Sequence, residues 1–236
     1  ELISNANTKI EDTVIEVMRI QLMRNYRNNF INAKTLNREL RLFMIQDYHQ
    51  PSYLKHRELS NISATDLRTF INKFTSKLKI IGLVQGNITK AQAAAVGSIL
   101  EDNLNSTTSK VEVLKQAKKI PIGSRYLLVK SLRKNDVNST VTNYYQIGPS
   151  SISLTAMMDL LISLMEEPLY DILRTKEQLA YEVTVEVRDT FSILGFTVTV
   201  RSQENKFTSV VVDEKIEEFF KTFEQYLLNM TVEDFN

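Results

Sequence analysis

Two hydrophobic rhythms alternate along this chain, one of three to four residues and one of two. Over residues 9–30, Ile10, Val14, Val17 and Met18 recur on one helical face, with Arg19, Arg24 and Arg27 on the wetter side. Residues 34–47 repeat the pattern with Leu36, Leu40, Phe43 and Met44, and Pro51 breaks the run behind them. Ser63-Ala64-Thr65-Asp66 has the spacing of a capping box and leads into Leu67, Phe70, Ile71 and Phe74 at helical spacing. Residues 79–85 have the composition of a buried strand, punctuated by Gly86-Asn87. Thr89, with Gln92 three residues on, predicts a helix that runs to about Leu104.

Residues 105–118 turn polar, headed by Asn105-Ser106-Thr107-Thr108-Ser109, and predict an exposed connection. Two units are expected around it: residues 1–108 and 119–236, with 109–118 as the linker. Residues 124–133 and 139–147 read as strands, and 152–166 as a strongly apolar helix burying Ile152, Ala156, Leu160, Leu161 and Leu164. Leu169, Ile172 and Leu173 then mark a short new helix, with Pro168 in its first turn, where a missing N–H is harmless. From Tyr181 the period becomes two: Tyr181, Val183, Val185 and Val187 point one way, Glu182, Thr184 and Glu186 the other. Strands 180–187 and 191–202 are joined by Arg188-Asp189-Thr190 as a hairpin. The last helix, 208–228, aligns Val212, Ile216, Phe219, Phe220, Phe223 and Leu227. Clustered strands, clustered helices and a hairpin predict an α+β fold with mainly antiparallel sheets.

Composition narrows the function classes. With 236 residues and 43% hydrophobic content, a packed core is expected. A net charge of +1 offers no excess to hold nucleic acid, and no apolar run approaches the ~18–20 residues of a membrane span. The absence of cysteine removes disulfides, thiolate metal sites and a cysteine nucleophile together, and points to a reducing, cytoplasmic compartment. Asn-x-Ser/Thr sequons at Asn61, Asn87, Asn105, Asn138 and Asn229 read as chance in a chain rich in these residues. The chain opens on Glu1, and Thr231-Val232-Glu233-Asp234 announces a helix with only Phe235 and Asn236 to follow, so it reads as a piece of a longer protein.

Little catalytic chemistry is on offer. The two histidines, His49 and His56, lie on either side of Pro51 and read as exposed side chains near a turn, not a metal site. No Gly-rich phosphate loop and no Gly-x-Ser-x-Gly elbow occurs. Glu166 and Glu167 are neighbours on a helix and do not face each other. Tyr144 and Tyr145 occupy adjacent strand positions, so one can line a cleft while the other packs. Arg174 and Tyr181 flank a helix-to-strand junction, where a cation and a phenol can reach the same cleft; a helix-terminal arginine beside the dipole and an inward strand tyrosine are the plain alternative.

The stretch Leu173-Arg174-Thr175-Lys176-Glu177-Gln178-Leu179-Ala180-Tyr181 closely resembles the Leu-Arg-Thr-Lys-Glu-Gln-Leu-Gly-Tyr signature in the C-terminal half of the inverzincin zinc peptidases, the pitrilysin–insulinase family. Ala180 stands where that signature has Gly. Residues 83–89, 138–146, 193–200 and 211–219 resemble further blocks of the family, the last two favouring the branch that cuts at dibasic sites over its sister branch. The resemblance implies a family of four related α+β domains, of which this chain covers the end of the third and most of the fourth. It implies that zinc, held by a His-x-x-Glu-His helix in the N-terminal half, lies outside this segment, which has no such motif. It implies that Arg174 and Tyr181 contact the substrate's scissile carbonyl and developing oxyanion, with a peptide substrate and the N-terminal catalytic half as partners and no activity for this segment alone. The alternative is a scaffold or interaction module of the same fold, and a degraded zinc motif in the remainder of the protein would favour it.

Overall fold

The computed structural model describes residues 10–104, 107–108, 114–133 and 135–231. They form two compact units: one holds the described residues from Ile10 to Arg27 and from Tyr53 to Leu114, the other those from Asn28 to Ser52 and from Lys115 to Thr231. Half of the expected 105–118 connection, residues 105–106 and 109–113, lies outside the described residues.

The first unit holds most of α1 (Asp12–Ile31) and α3 (Ser52–Leu59), together with α4 (Ala64–Ser76) and α5 (Lys90–Leu104). A minimal parallel pair joins β1 (Lys77–Leu78) to β2 (Thr107–Thr108). Both expected capping devices are present. The Ser63 hydroxyl accepts from Asp66 N–H while the Asp66 carboxylate accepts from Ser63 N–H. Thr89 and Gln92 make the same reciprocal pair at the head of α5. Helix α1 is anchored by its polar side: Arg68 pairs with Asp12, and Arg19 donates to the carbonyls of Leu59 (3.4 Å) and Ser60 (3.2 Å). Residues 79–85 are not the buried strand expected; Ile81 and Leu83 are 85% and 91% exposed. Residues 124–133 in the second unit likewise form no strand, with Leu128 79% exposed. A strand exists only as one side of a ladder, and neither run has a partner among the described residues.

The second unit is built on an antiparallel sheet in the order β3 (Asn138–Pro149), β5 (Ile193–Gln203), β4 (Glu182–Thr190). One face is apolar. Val141, Val183, Val185, Val187, Leu194, Val198 and Val200 meet the long helices α6 (Ile152–Tyr170) and α7 (Ser209–Asn229) there. Val212, Ile216, Phe219 and Phe223 of α7 are buried as their spacing predicts. Helix α6 buries a different stripe from the one expected: Met158, Ile162, Met165 and Leu169, with Leu161 and Leu164 at the margin, Ile152 fully outside and Leu160 exposed. The helix is apolar nearly all round, so the pattern alone does not choose its inward side.

The other face is polar. Thr142 and Thr199 share a hydrogen bond of 2.9 Å, Arg188 donates to Thr197 (3.1 Å), and Arg201 pairs with Glu182 (2.7 Å). Helix α2 (Ala33–Ile45) lies over this face; its Asn37 amide reaches the Thr140 carbonyl (3.2 Å) and its Lys34 the Glu182 carboxylate (3.3 Å). Arg188, Asp189 and Thr190 continue β4 and do not form the turn expected of them. The turn is Phe191-Ser192, both at positive φ (52° and 62°), with Ser192 N–H capped by the Asp189 carboxylate (2.9 Å). This is the two-residue hairpin geometry that right-handed strand twist favours, here without its usual Asn or Gly.

Truncating Leu173, which has no exposed surface, should cost about 2–5 kcal/mol in urea denaturation of Leu173→Ala. Val210→Ala, on an exposed side chain, should stay within about 0.5 kcal/mol. Equal effects would mean that the core does not centre on the apolar face of β5.

Candidate functional site

The signature residues sit where α6 ends. Pro168 does not open a new helix; it lies inside α6, and the Leu164 carbonyl therefore loses its usual donor four residues on. Past Tyr170 the helix widens into a π-turn, Asp171–Lys176. Asp171 N–H is shared between the Glu167 and Pro168 carbonyls, and Glu177 N–H donates five residues back to Ile172 (2.9 Å). The turn closes when Gln178 takes a left-handed conformation (φ 50°) and Leu179 N–H reaches the Leu173 carbonyl (3.0 Å). This is a widened form of the reversal that commonly ends helices. Leu173 and Leu179 are both buried in the core. Their burial forces the intervening residues outward, and single π-turns of this kind recur at functional sites.

Arg174 is therefore exposed, its guanidinium carbon 4.9 Å from the Tyr170 ring centroid, a cation–π contact one turn back. Lys176 pairs with Asp171 (2.7 Å) and Glu177 with Lys215 of α7 (3.1 Å), two ties across the outside of the turn. Glu166 and Glu167 are solvent-facing.

Tyr181 precedes β4 and is not the first residue of its inward row. Its N–H donates to the Arg201 carbonyl (3.0 Å), and its ring lies 5.1 Å from the Arg201 guanidinium carbon. Arg201 belongs to the polar face, where Glu182 holds it. Burial alone would lower the Arg201 pKa, but the bonds to Glu182 and the Tyr181 phenol raise it on balance. The side chains that support Tyr181 are thus Arg201, Glu182 and, through Glu182, Lys34. Sequence reading missed this chain of contacts, although its one available signal was the strand alternation that sets Glu182 opposite the valines.

The two strand tyrosines part company. Tyr145 faces α7: its ring stacks on Phe196 (4.8 Å) and meets Phe220 edge-on (5.1 Å), and its hydroxyl donates to Glu217 (2.6 Å). Burial, then the Glu217 bond, push its pKa well above the ordinary phenol value. Tyr144 faces α2, under the Arg41 guanidinium (5.4 Å), and its hydroxyl is buried with no hydrogen-bond partner among the described residues. Burial raises its pKa too. Gly195 makes room for this ring; a Cβ there would lie 2.8 Å from the Tyr144 hydroxyl and 2.5 Å from the Tyr145 carbonyl oxygen. In this arrangement Tyr145 packs toward α7 and Tyr144 toward α2. Neither is joined to Arg174 or Tyr181 by a direct hydrogen bond or ring contact among the described residues.

His49 lies before Pro51 outside any helix and His56 on α3; both are half-buried, not exposed as expected. Among the described residues no group of three or more His, Cys, Asp or Glu side chains is placed to hold a metal ion, and no helix is long and apolar enough to cross a membrane.

A family model described as the peptidase M16 inactive domain matches residues 61–236. Human nardilysin is 39% identical over 226 residues, covering 94% of this chain and 20% of the human protein. Rat nardilysin is 38% identical over the whole chain, which covers 21% of it. Human insulin-degrading enzyme is 28% identical, covering 98% of this chain and 23% of that protein. The chain spans about a fifth of the length of the curated relatives it matches.

Glu182 yields a pH test. The Arg201 hydrogen bond, against a smaller opposing effect of burial and with help from Lys34, holds its carboxyl below the ordinary 4.5. A lowered native pKa contributes stability that is present above the unfolded value and lost as pH falls through the native one. Glu182→Gln should therefore flatten the decline in urea midpoint below about pH 4.5 relative to the wild type. Parallel curves for the two proteins would show that the Arg201 contact is not formed in solution.

Proposed function

Because this chain belongs to the M16 peptidase family, in the portion described as inactive, we propose that it is the non-zinc C-terminal segment of a nardilysin-like metalloendopeptidase. In this reading it closes a chamber over peptide substrates, cut at dibasic sites, and works against an N-terminal half that carries the zinc, in the cytoplasm. The observation that carries the reading is the signature turn itself: a buried Leu173–Leu179 clasp that holds Arg174 outside it and leads directly into Tyr181. The insulin-degrading relatives support the same class at lower identity.

The chemistry follows from the two side chains. Arg174 brings a permanent charge and a planar fork of N–H donors to a peptide carbonyl. Tyr181 brings a neutral O–H donor, and the adjacent Arg201 cation favours any charge that develops on the acceptor. Donors aimed at an oxyanion are worth roughly 10²–10³ in rate. The polar contacts of Glu182 with Arg201 and Lys34 keep the Tyr181 side of the site in place without touching substrate.

Two outcomes test the proposal. The isolated chain should bind no stoichiometric zinc by metal analysis and should not cleave a dibasic fluorogenic peptide; chelator-sensitive turnover by this chain alone would overturn the assignment. In the full-length parent, Tyr181→Phe should lower kcat more than it raises KM, because the lost donor acts mainly on transition-state charge. Arg174→Ala should do more harm, and Arg174→Lys should recover only part of it. Wild-type kcat/KM in both variants, folded and metallated, would favour a scaffold role for this segment.

A further inference from the structure

Beside Tyr181 the surface dips into an open depression of about 160 Å³, walled by Gln178, Tyr181, Ser202, Gln203 and Lys206 with apolar residues between them. Three observations give it a chemical character. Its walls carry no carboxylate. Ser202 is 1% exposed, and its hydroxyl has no hydrogen-bond partner among the described residues, a cost that a ligand acceptor would remove. Lys206 forms no ion pair among the described residues. The nearby Glu204 does not line the depression; its carboxylate accepts from Ser209 N–H (3.4 Å).

We propose that this depression is a subsite for a carboxylate carried by a bound peptide, with the Ser202 hydroxyl and the Lys206 ammonium as donors and the side-chain amides of Gln178 and Gln203 at its rim. The assignment rests on the reading that substrate passes Tyr181. Its volume is well below the ~300 Å³ at which sites for whole small molecules begin, and suits one acidic side chain or a chain terminus. Its place is set by the same turn that sets the signature: Gln178 is the left-handed residue closing the π-turn, and Ser202 follows Arg201, the residue against which Tyr181 stacks. A peptide held at Tyr181 thus presents a neighbouring residue to the subsite, which makes Lys206 a specificity determinant separate from the two proposed substrate contacts.

The test uses this chain and ¹⁵N-labelled NMR titrations with a blocked aspartyl tripeptide, its asparaginyl counterpart, and inorganic phosphate at matched ionic strength. The aspartyl peptide should shift signals of 178–181 and 202–207 and bind at least about tenfold more tightly than the asparaginyl one, as expected for hydrogen bonds to a charged acceptor. Lys206→Gln, an exposed substitution that leaves the core intact, should erase the difference; Ser202→Ala should reduce it. Equal binding of the two peptides, no binding of either, or phosphate binding as tight as the aspartyl peptide would overturn the assignment. Aspartyl selectivity together with wild-type kinetics of the Tyr181→Phe parent would support the subsite while removing the catalytic role of Tyr181. Impaired Tyr181→Phe kinetics without selectivity would do the reverse.

Discussion

The burial of one face of β5 is the constraint on which the second unit depends. Leu194, Val198 and Val200 have no exposed surface, and α6 and α7 both lie against that face. The chain leaving α6 must stay in contact with the same core, which it does through Leu173 and Leu179. A regular helix cannot place residues six apart on one inward spot and then reverse into an edge strand. The π-turn and the left-handed Gln178 resolve that conflict, and Arg174 is what the resolution leaves outside.

The opposite face of the same sheet works by a different physics. It half-buries arginines and a glutamate around the buried Thr197, so its order comes from directional bonds: Thr142 to Thr199, Arg188 to Thr197, Arg201 to Glu182. For the buried Thr197 in particular, losing the partner would cost more than the bond contributes when made. The face therefore specifies one arrangement strongly. Tyr181 borrows that rigidity through Arg201. The unit thus couples an apolar face that sets where the signature turn lies to a polar face that sets where its phenol lies.

Membership in a peptidase family does not by itself assign chemistry to a segment described as inactive. The unusual backbone of this segment is local. The turn spends a left-handed non-glycine residue and a proline inside a helix, departures that cost free energy and persist only where packing demands them. They cluster within a dozen residues around Arg174 and Tyr181, beside the depression lined by Ser202, whose buried hydroxyl has no hydrogen-bond partner among the described residues.

The amino-acid sequence by itself determined the elements whose information is local or one-sided. The capping pairs Ser63–Asp66 and Thr89–Gln92, the single apolar stripe of α7, the α+β class and the family signature were all legible, because each depends on neighbours a few residues apart. Only the tertiary structure decided the rest. An all-round apolar α6 had its inward face chosen by the sheet it met. Residues 79–85 and 124–133, strand-like in composition, have no ladder partner among the described residues, because a ladder needs a partner that composition does not supply. The hairpin turned at Phe191-Ser192 because strand register, not turn propensity, put the reversal there. Arg201 and Glu182 became the support of Tyr181 because β5 runs antiparallel to β4 in one particular register, a long-range fact that no local pattern encodes.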